Sequence, residues 1–135
     1  MKTLLWLDDI RDPMDAVWQA WLAQNQVDTS QYKITWVKNY DDFTAHIKFN
    51  GMPDLICFDH DLGEDVAQSM VASGMSKRQA RIKKRETMSG YDAAKWLVEY
   101  CMDNKVSLPQ WRIQSANPVG ADNIAGLFKS FLRNF

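Results

Sequence analysis

The sequence predicts a single α/β domain over residues 1–135, built on a parallel sheet of four strands in the order 2-1-3-4 and covered by four main helices. Four short apolar runs alternate with four segments of helical period, the pattern of a parallel sheet wrapped by helices. Two of those runs are almost continuously apolar, as strands buried on both faces are, and two alternate, as half-exposed edge strands do. The length of 135 residues, with 46% hydrophobic and 24% charged, suits one globular core, and six Trp, six Phe and four Tyr supply bulky material for it.

The first run, Leu4 to Leu7, is continuously apolar and central. Asp12-Pro13 then offers an N-cap and a first-turn proline, after which Met14, Val17, Trp18, Trp21 and Leu22 form one apolar stripe. Tyr32 to Val37 alternates, with Lys33 and Thr35 set against Tyr32 and Ile34, so it belongs at an edge. A second helix begins near Asn39, carries Asp41 and Asp42 in its first turn, buries Phe43 and Ile47, and stops at Asn50-Gly51. Leu55 to Phe58 is the second central strand.

Residues 63–88 interrupt this rhythm with a polar insertion, at a place where a plain βα loop needs only about 2–6 residues. Ser89 caps a third helix, in which Ala94, Leu97, Val98 and Cys101 share a face. Trp111 to Ser115 is the other edge strand, with Arg112 and Gln114 set against Trp111 and Ile113. The fourth helix starts at Asn117-Pro118 and turns Ile124, Leu127, Phe128, Phe131 and Leu132 inward. A flavodoxin-like strand order puts both continuous runs in the centre and keeps each crossover right-handed.

The formal net charge of -1 excludes a protein that coats nucleic acid over its whole surface. Basic residues are nevertheless concentrated. Lys77, Arg78, Arg81, Lys83, Lys84 and Arg85 are six of sixteen, so any contact with a polyanion is local to this segment; a solvated charged loop is the plainer reading. Cys57 and Cys101 sit in apolar segments without metal-ligand spacing and read as buried thiols of a reducing compartment. The N-terminal run turns acidic too soon for a signal peptide, and no apolar run reaches membrane-spanning length, so the expected location is the cytoplasm.

In an open parallel sheet, ligands bind beyond the carboxyl ends of the strands, beside the point where strand order reverses. Asp8 and Asp9 end the first strand, Asp59, His60 and Asp61 end the third, and Ser115 and Asn117 end the fourth. Strands one and three are neighbours in the predicted order, so their acidic tips meet, and gathered carboxylates need a cation to offset them. Hard oxygen donors select Mg²⁺ or Mn²⁺, and a metal held by few carboxylates keeps waters that a substrate phosphate can displace. Against this stands the plainer reading that Asp8 and Asp9 cap the first helix and Asp61 caps a turn.

His60 is placed to bind a softer metal or to move a proton, and position alone leaves both open, beside an ordinary half-buried histidine. His46, within a helix of ordinary composition, reads as structural. The Ser115 to Gly120 segment leads into helix four, whose first free N–H groups would face the same rim as a phosphate cradle; Ser-x-Asn-Pro is also an ordinary strand-to-helix turn. Ser89-Gly90 repeats the device at helix three. Arg11 is close enough to the acidic pair to neutralise phosphate oxygens, or alternatively to pair with Asp12 or Asp15.

Leu-Asp-Asp at the end of strand one and an aspartate at the end of strand three resemble the acidic pocket of response-regulator receiver domains, with Ser115 in the place of their hydroxyl residue. The fuller strings are closer to a divergent branch, the cyclic-phosphate-processing receiver domains: Trp6 to Pro13 (WLDDIRDP), Phe58 to Gly63 (FDHDLG), Ser89 to Leu97 (SGYDAAKWL), and Ser115 to Gly120 (SANPVG) with Asn123.

That resemblance implies a phosphoesterase acting on cyclic phosphates of nucleotides or RNA ends, often in phage or conflict settings. Asp8, Asp9 and Asp59 would hold the metal, His60 and Asp61 would handle protons or complete the metal shell, and Asn117, with Ser115, Gly120, Asn123 and Ser89, would position phosphate. Phosphotransfer receivers also place a lysine after a fifth strand. Here one helix follows Ser115, so that lysine has no site and a signalling aspartyl phosphate at Asp59 is disfavoured. A non-catalytic cyclic-nucleotide binder is the alternative from a different class, and a divergent phosphoacceptor ranks last.

Overall fold

Strand β1 (Lys2–Leu7) runs up the middle of the sheet, paired in parallel with β2 (Tyr32–Val37) on one side and β3 (Leu55–Phe58) on the other. β4 (Gln110–Ile113) pairs in parallel with β3, which completes the order β2-β1-β3-β4. This computed structural model describes residues 1–59, 62, 89–114 and 118–134. The expected order is therefore found, with α1 (Ala16–Gln24), α2 (Tyr40–Asn50), α3 (Gly90–Asn104) and α4 (Pro118–Asn134) as the four main helices of a receiver-like α/β fold. The insertion predicted over 63–88 lies outside the described residues. No described helix is long and apolar enough to cross a membrane.

Alternation along the central strands divides the core in two. Leu5, Leu7, Ile56 and Phe58 face α2, α3 and α4, where Phe43, Ile47, Ala94, Leu97, Cys101, Ile124 and Phe128 close over them. Leu4, Trp6, Leu55 and Cys57 face the other way, onto Leu22 and Val27, with Trp18 and Trp21 packed against them. Trp6 meets Trp18 and Trp21 with ring centroids 5.9 and 6.0 Å apart, in the tilted and edge-on arrangements that aromatic quadrupoles favour. On the β4 side of this face Arg112 spans the sheet, donating Nε to the Asn25 carbonyl at 3.2 Å and Nη1 to the Trp111 carbonyl at 2.9 Å.

The helix punctuation is found at α2 and α3. Asn39 accepts from Asp42 N at 2.8 Å, Asp41 and Asp42 lie in the first turn, and Gly51 ends α2 at a positive φ of 86° that costs a glycine nothing. Ser89 and Asp92 form a reciprocal capping box on α3.

The first helix differs from expectation. Its N-cap is Asp15, while Asp12 closes a preceding turn by accepting from Met14 N at 2.8 Å. Residues 9–15 are used to wrap the sheet rim, so Met14 precedes the helix and Val17 falls about 100° away from the Trp18, Trp21, Leu22 stripe; both are exposed. Leu132 is likewise 56% exposed, one turn beyond Phe128, the last fully buried residue of α4. Gln114, expected on the polar side of an edge strand, is instead buried at 4% exposure.

Candidate metal centre

The register Leu7↔Phe58↔Ile113 puts Asp8, Asp59 and Gln114 in the next row across three adjacent strands. Strand alternation turns all three toward the α1 face, in phase with Trp6 and Cys57. The backbone ladder continues through that row: Asp8 N donates to Val37 O at 3.1 Å, Asp59 N to Leu7 O at 2.9 Å, and Gln114 N to Phe58 O at 3.0 Å. The acidic tips are thus held by the sheet itself. Asp9 follows at the rim, half-buried, and one carboxylate oxygen from each of Asp8, Asp9 and Asp59 lies within 4.8 Å of the others.

Asp8 is fully buried. Its Oδ1 accepts from Ile10 N at 3.1 Å and Arg11 N at 2.9 Å, and its carbonyl accepts the Trp36 indole N–H at 2.7 Å. Burial pushes its carboxyl above the usual aspartate range. The two backbone donors and the Arg11 charge pull it back, Asp9 pushes it further up, and burial prevails.

Arg11 turns back over this cluster. Its Nη1 lies 3.4 Å from Asp8 Oδ2, 3.5 Å from Asp59 Oδ1 and 3.2 Å from the Gln114 carbonyl, and the guanidinium carbon sits 5.1 Å from the Trp18 ring centroid. Trp6 Nε1 holds the Arg11 carbonyl at 2.8 Å. The sequence offered Arg11 phosphate oxygens, or Asp12 or Asp15 as partners; the structure instead sets it against Asp8 and Asp59.

Three carboxylates thus gather beside one guanidinium, as a set of oxygen donors at one point of the rim. All-oxygen donors at this spacing suit Mg²⁺ or Mn²⁺ better than a soft metal. Asp8, Asp9 and Asp59 could hold such an ion.

Of the remaining candidates, Ser89 is engaged in the α3 cap, donating its hydroxyl to Asp92 Oδ2 at 3.0 Å. Gly120 is buried in the first turn of α4 and Asn123 is exposed on the next. His60, Asp61, Ser115, Asn117 and the basic run Lys77 to Arg85 lie outside the described residues. His46 is half-buried against Asn50, and its pKa is lowered by burial and then by Lys33.

Sequence reasoning missed Gln114, Trp6, Trp18 and Trp36, which secure the rim. The usable signal was register: continuing the strand pairing one residue past the apolar runs would have aligned Gln114 with Asp8 and Asp59.

Residues 3–130 match the family described as the cyclic-phosphate processing receiver domain. No curated protein sequence matches the chain. Three solved chains match it. One, a yeast Spc42 trimeric coiled coil (amino acids 181–211) fused to another structure, superposes with a TM-score of 0.51 at 17% identity, covering 93% of this chain and 61% of its own length. The chain thus spans about 61% of that solved structure, and the likeness shows the fold alone.

Proposed function

The chain belongs to the cyclic-phosphate processing receiver domain family, and from that premise we propose that it is a metal-dependent phosphoesterase that opens cyclic phosphates of nucleotides or RNA ends. The observation that carries this reading is the convergence of Asp8, Asp9 and Asp59 within 4.8 Å, with the Arg11 guanidinium against two of them.

Asp8, Asp9 and Asp59 would hold Mg²⁺ or Mn²⁺, which when bound supplies Lewis acidity toward phosphoryl oxygen and lowers the pKa of water. Arg11 offsets the negative charge that grows on the phosphoryl oxygens as water adds to phosphorus. His60, adjacent to Asp59 in the chain, is the proposed donor of a proton to the departing ribose oxygen, and Asp61 would handle protons or complete the metal shell. One P–O bond of the ring breaks, one forms from water, and a phosphomonoester with a free hydroxyl results. Ser115, Asn117, Gly120, Asn123 and Ser89 are the proposed phosphate-side contacts, and the Lys77 to Arg85 segment is the proposed contact for a longer polyanion.

The test is incubation with Mg²⁺ or Mn²⁺ and a panel of 2′,3′-cyclic nucleotides, cyclic dinucleotides and RNA ending in a cyclic phosphate. Turnover of at least one, lost in Asp59→Asn, is expected. Absence of turnover on the whole panel, or undiminished turnover by Asp59→Asn, overturns the proposal; tight binding with the ligand recovered intact would make the protein a binder instead.

A further inference from the structure

Arg11 cannot serve the phosphate from the position in which the structure holds it. Its Nη1 lies between Asp8 Oδ2 and Asp59 Oδ1, and both residues belong to the carboxylate group that fits a divalent ion. An ion bonded to both at a magnesium–oxygen distance of about 2.0–2.1 Å takes up the same two carboxylates that this nitrogen now engages. Two cations compete for such a pair of carboxylates, since like charges a few ångströms apart in a partly buried site repel each other.

We propose that the Arg11 guanidinium is a resident counter-ion that the divalent ion displaces, and that the displaced side chain then becomes the phosphate contact, so that binding is ordered with the ion before the anion. This rests on the reading of Asp8, Asp9 and Asp59 as ion ligands.

The way Arg11 is held supports a side chain that moves on a fixed backbone. Its N–H is anchored on Asp8 Oδ1 at 2.9 Å and its carbonyl on Trp6 Nε1 at 2.8 Å, so the main chain is pinned at both ends. The side chain is 21% exposed, and its contacts to the two carboxylates, at 3.4 and 3.5 Å, are longer than good charge-assisted hydrogen bonds. Charge dictates the order. Before the ion arrives, Asp8 and Asp59 engage the guanidinium, so it is not available to a phosphate. Afterwards the ion neutralises the carboxylates, and a flexible cation is released beside it.

Removing Arg11 would ease ion binding even if the side chain stayed still, so affinity alone does not decide. The experiment therefore pairs affinity with a direct view of the guanidinium, using the full chain. Its ¹⁵N Nε–H signal, assigned by its loss in Arg11→Lys, is followed while Mg²⁺ is added. Mg²⁺ affinity is measured by calorimetry for wild type, Arg11→Lys and Arg11→Met.

Expected are a shifted and more mobile Arg11 signal in Mg²⁺, about tenfold tighter Mg²⁺ binding by Arg11→Met, and binding of inorganic phosphate to wild type only when Mg²⁺ is present. Mg²⁺ binding that leaves the Arg11 signal unmoved, or phosphate binding that is equal with and without Mg²⁺, overturns the exchange while the ion site stands. No Mg²⁺ or Mn²⁺ binding by wild type or Arg11→Met overturns both.

Discussion

Gln114 reaches back across β3 to donate its Nε2 to the carbonyl of Leu7 at 3.0 Å, the residue that leads into Asp8. The same residue's main-chain carbonyl receives Arg11 Nη1 at 3.2 Å, so one position on β4 ties down both the acidic strand end and its counter-ion. The Gln114 Oε1 is buried and has no hydrogen-bond partner among the described residues. A buried amide acceptor left alone costs about 1–3 kcal/mol, and the bond made by Nε2 contributes roughly 1 kcal/mol. Leu7 O would keep its donor from Asp59 N. Gln114→Met is therefore expected to unfold in urea at a stability within about 1 kcal/mol of wild type, or above it. A loss of more than about 2 kcal/mol would show that the amide oxygen is satisfied in solution.

Asp8 gives the ion-free protein a signed pH dependence. Burial, the largest cause, raises its pKa above the ordinary value of 3.8. A raised folded-state pKa means that the folded protein binds the proton more tightly than the unfolded chain. The stability from that proton is fully present below 3.8 and is lost as pH rises through the higher folded value. Asp8→Asn removes this loss, and its amide oxygen can still accept from Ile10 N and Arg11 N. In chelator the variant should melt higher than wild type at pH 7, with the gap closing toward pH 3.8. Thermal scans across that range check it, and added Mg²⁺ should raise the melting temperature of wild type alone.

Ser89 was a phosphate candidate in the sequence, and its hydroxyl is occupied in the structure. It accepts from Asp92 N at 3.3 Å while Asp92 Oδ2 accepts from Ser89 N at 2.7 Å. Ser89→Ala should cost about 1 kcal/mol of unfolding free energy, the usual worth of an N-cap. Asp92→Asn should cost less, because the residue 92 backbone N–H still donates to the Ser89 hydroxyl and an amide oxygen can still accept from Ser89 N. Mg²⁺ affinity, measured on the same samples by calorimetry, should not change.

How much of this was legible depended on whether the deciding interaction was local. The contrast between Leu4 to Leu7 and Tyr32 to Val37 encodes centre and edge directly, because burial on two faces leaves no polar position. Asp8 and Asp59 could be brought together from strand order alone. Asp12-Pro13 satisfied every local rule for a helix start, yet Asp15 caps α1, because Ile10 and Arg11 just before it are held at the rim by Asp8 Oδ1 and Trp6 Nε1 and Asp12 closes a separate turn on Met14 N. Gln114 read as solvent-facing since a lone polar residue on an alternating strand usually is. Its burial depends on Leu7 and Arg11, more than a hundred residues away in the chain.

The α1 face of the sheet offers a last prediction, through a thiol with no part in the proposed chemistry. Cys57 is fully buried there, and burial pushes its pKa up to about 12, with Arg112 pulling weakly the other way. Cys101, on the buried side of α3 over the opposite face, is raised to about 11 by burial. Thiolate, the reactive form, is therefore scarce at both, and neither should label with iodoacetamide in the native protein at pH 8. Labelling of Cys57 then requires local opening of the α1 face, which Arg112 ties by its bond from β4 to Asn25 at the end of α1. Arg112→Met removes that tie and should speed alkylation of Cys57 while leaving Cys101 slow, as read by peptide mass spectrometry. Equal acceleration at both cysteines would mean that the substitution lowers global stability, and no acceleration at either would mean that Arg112 does not hold the face closed.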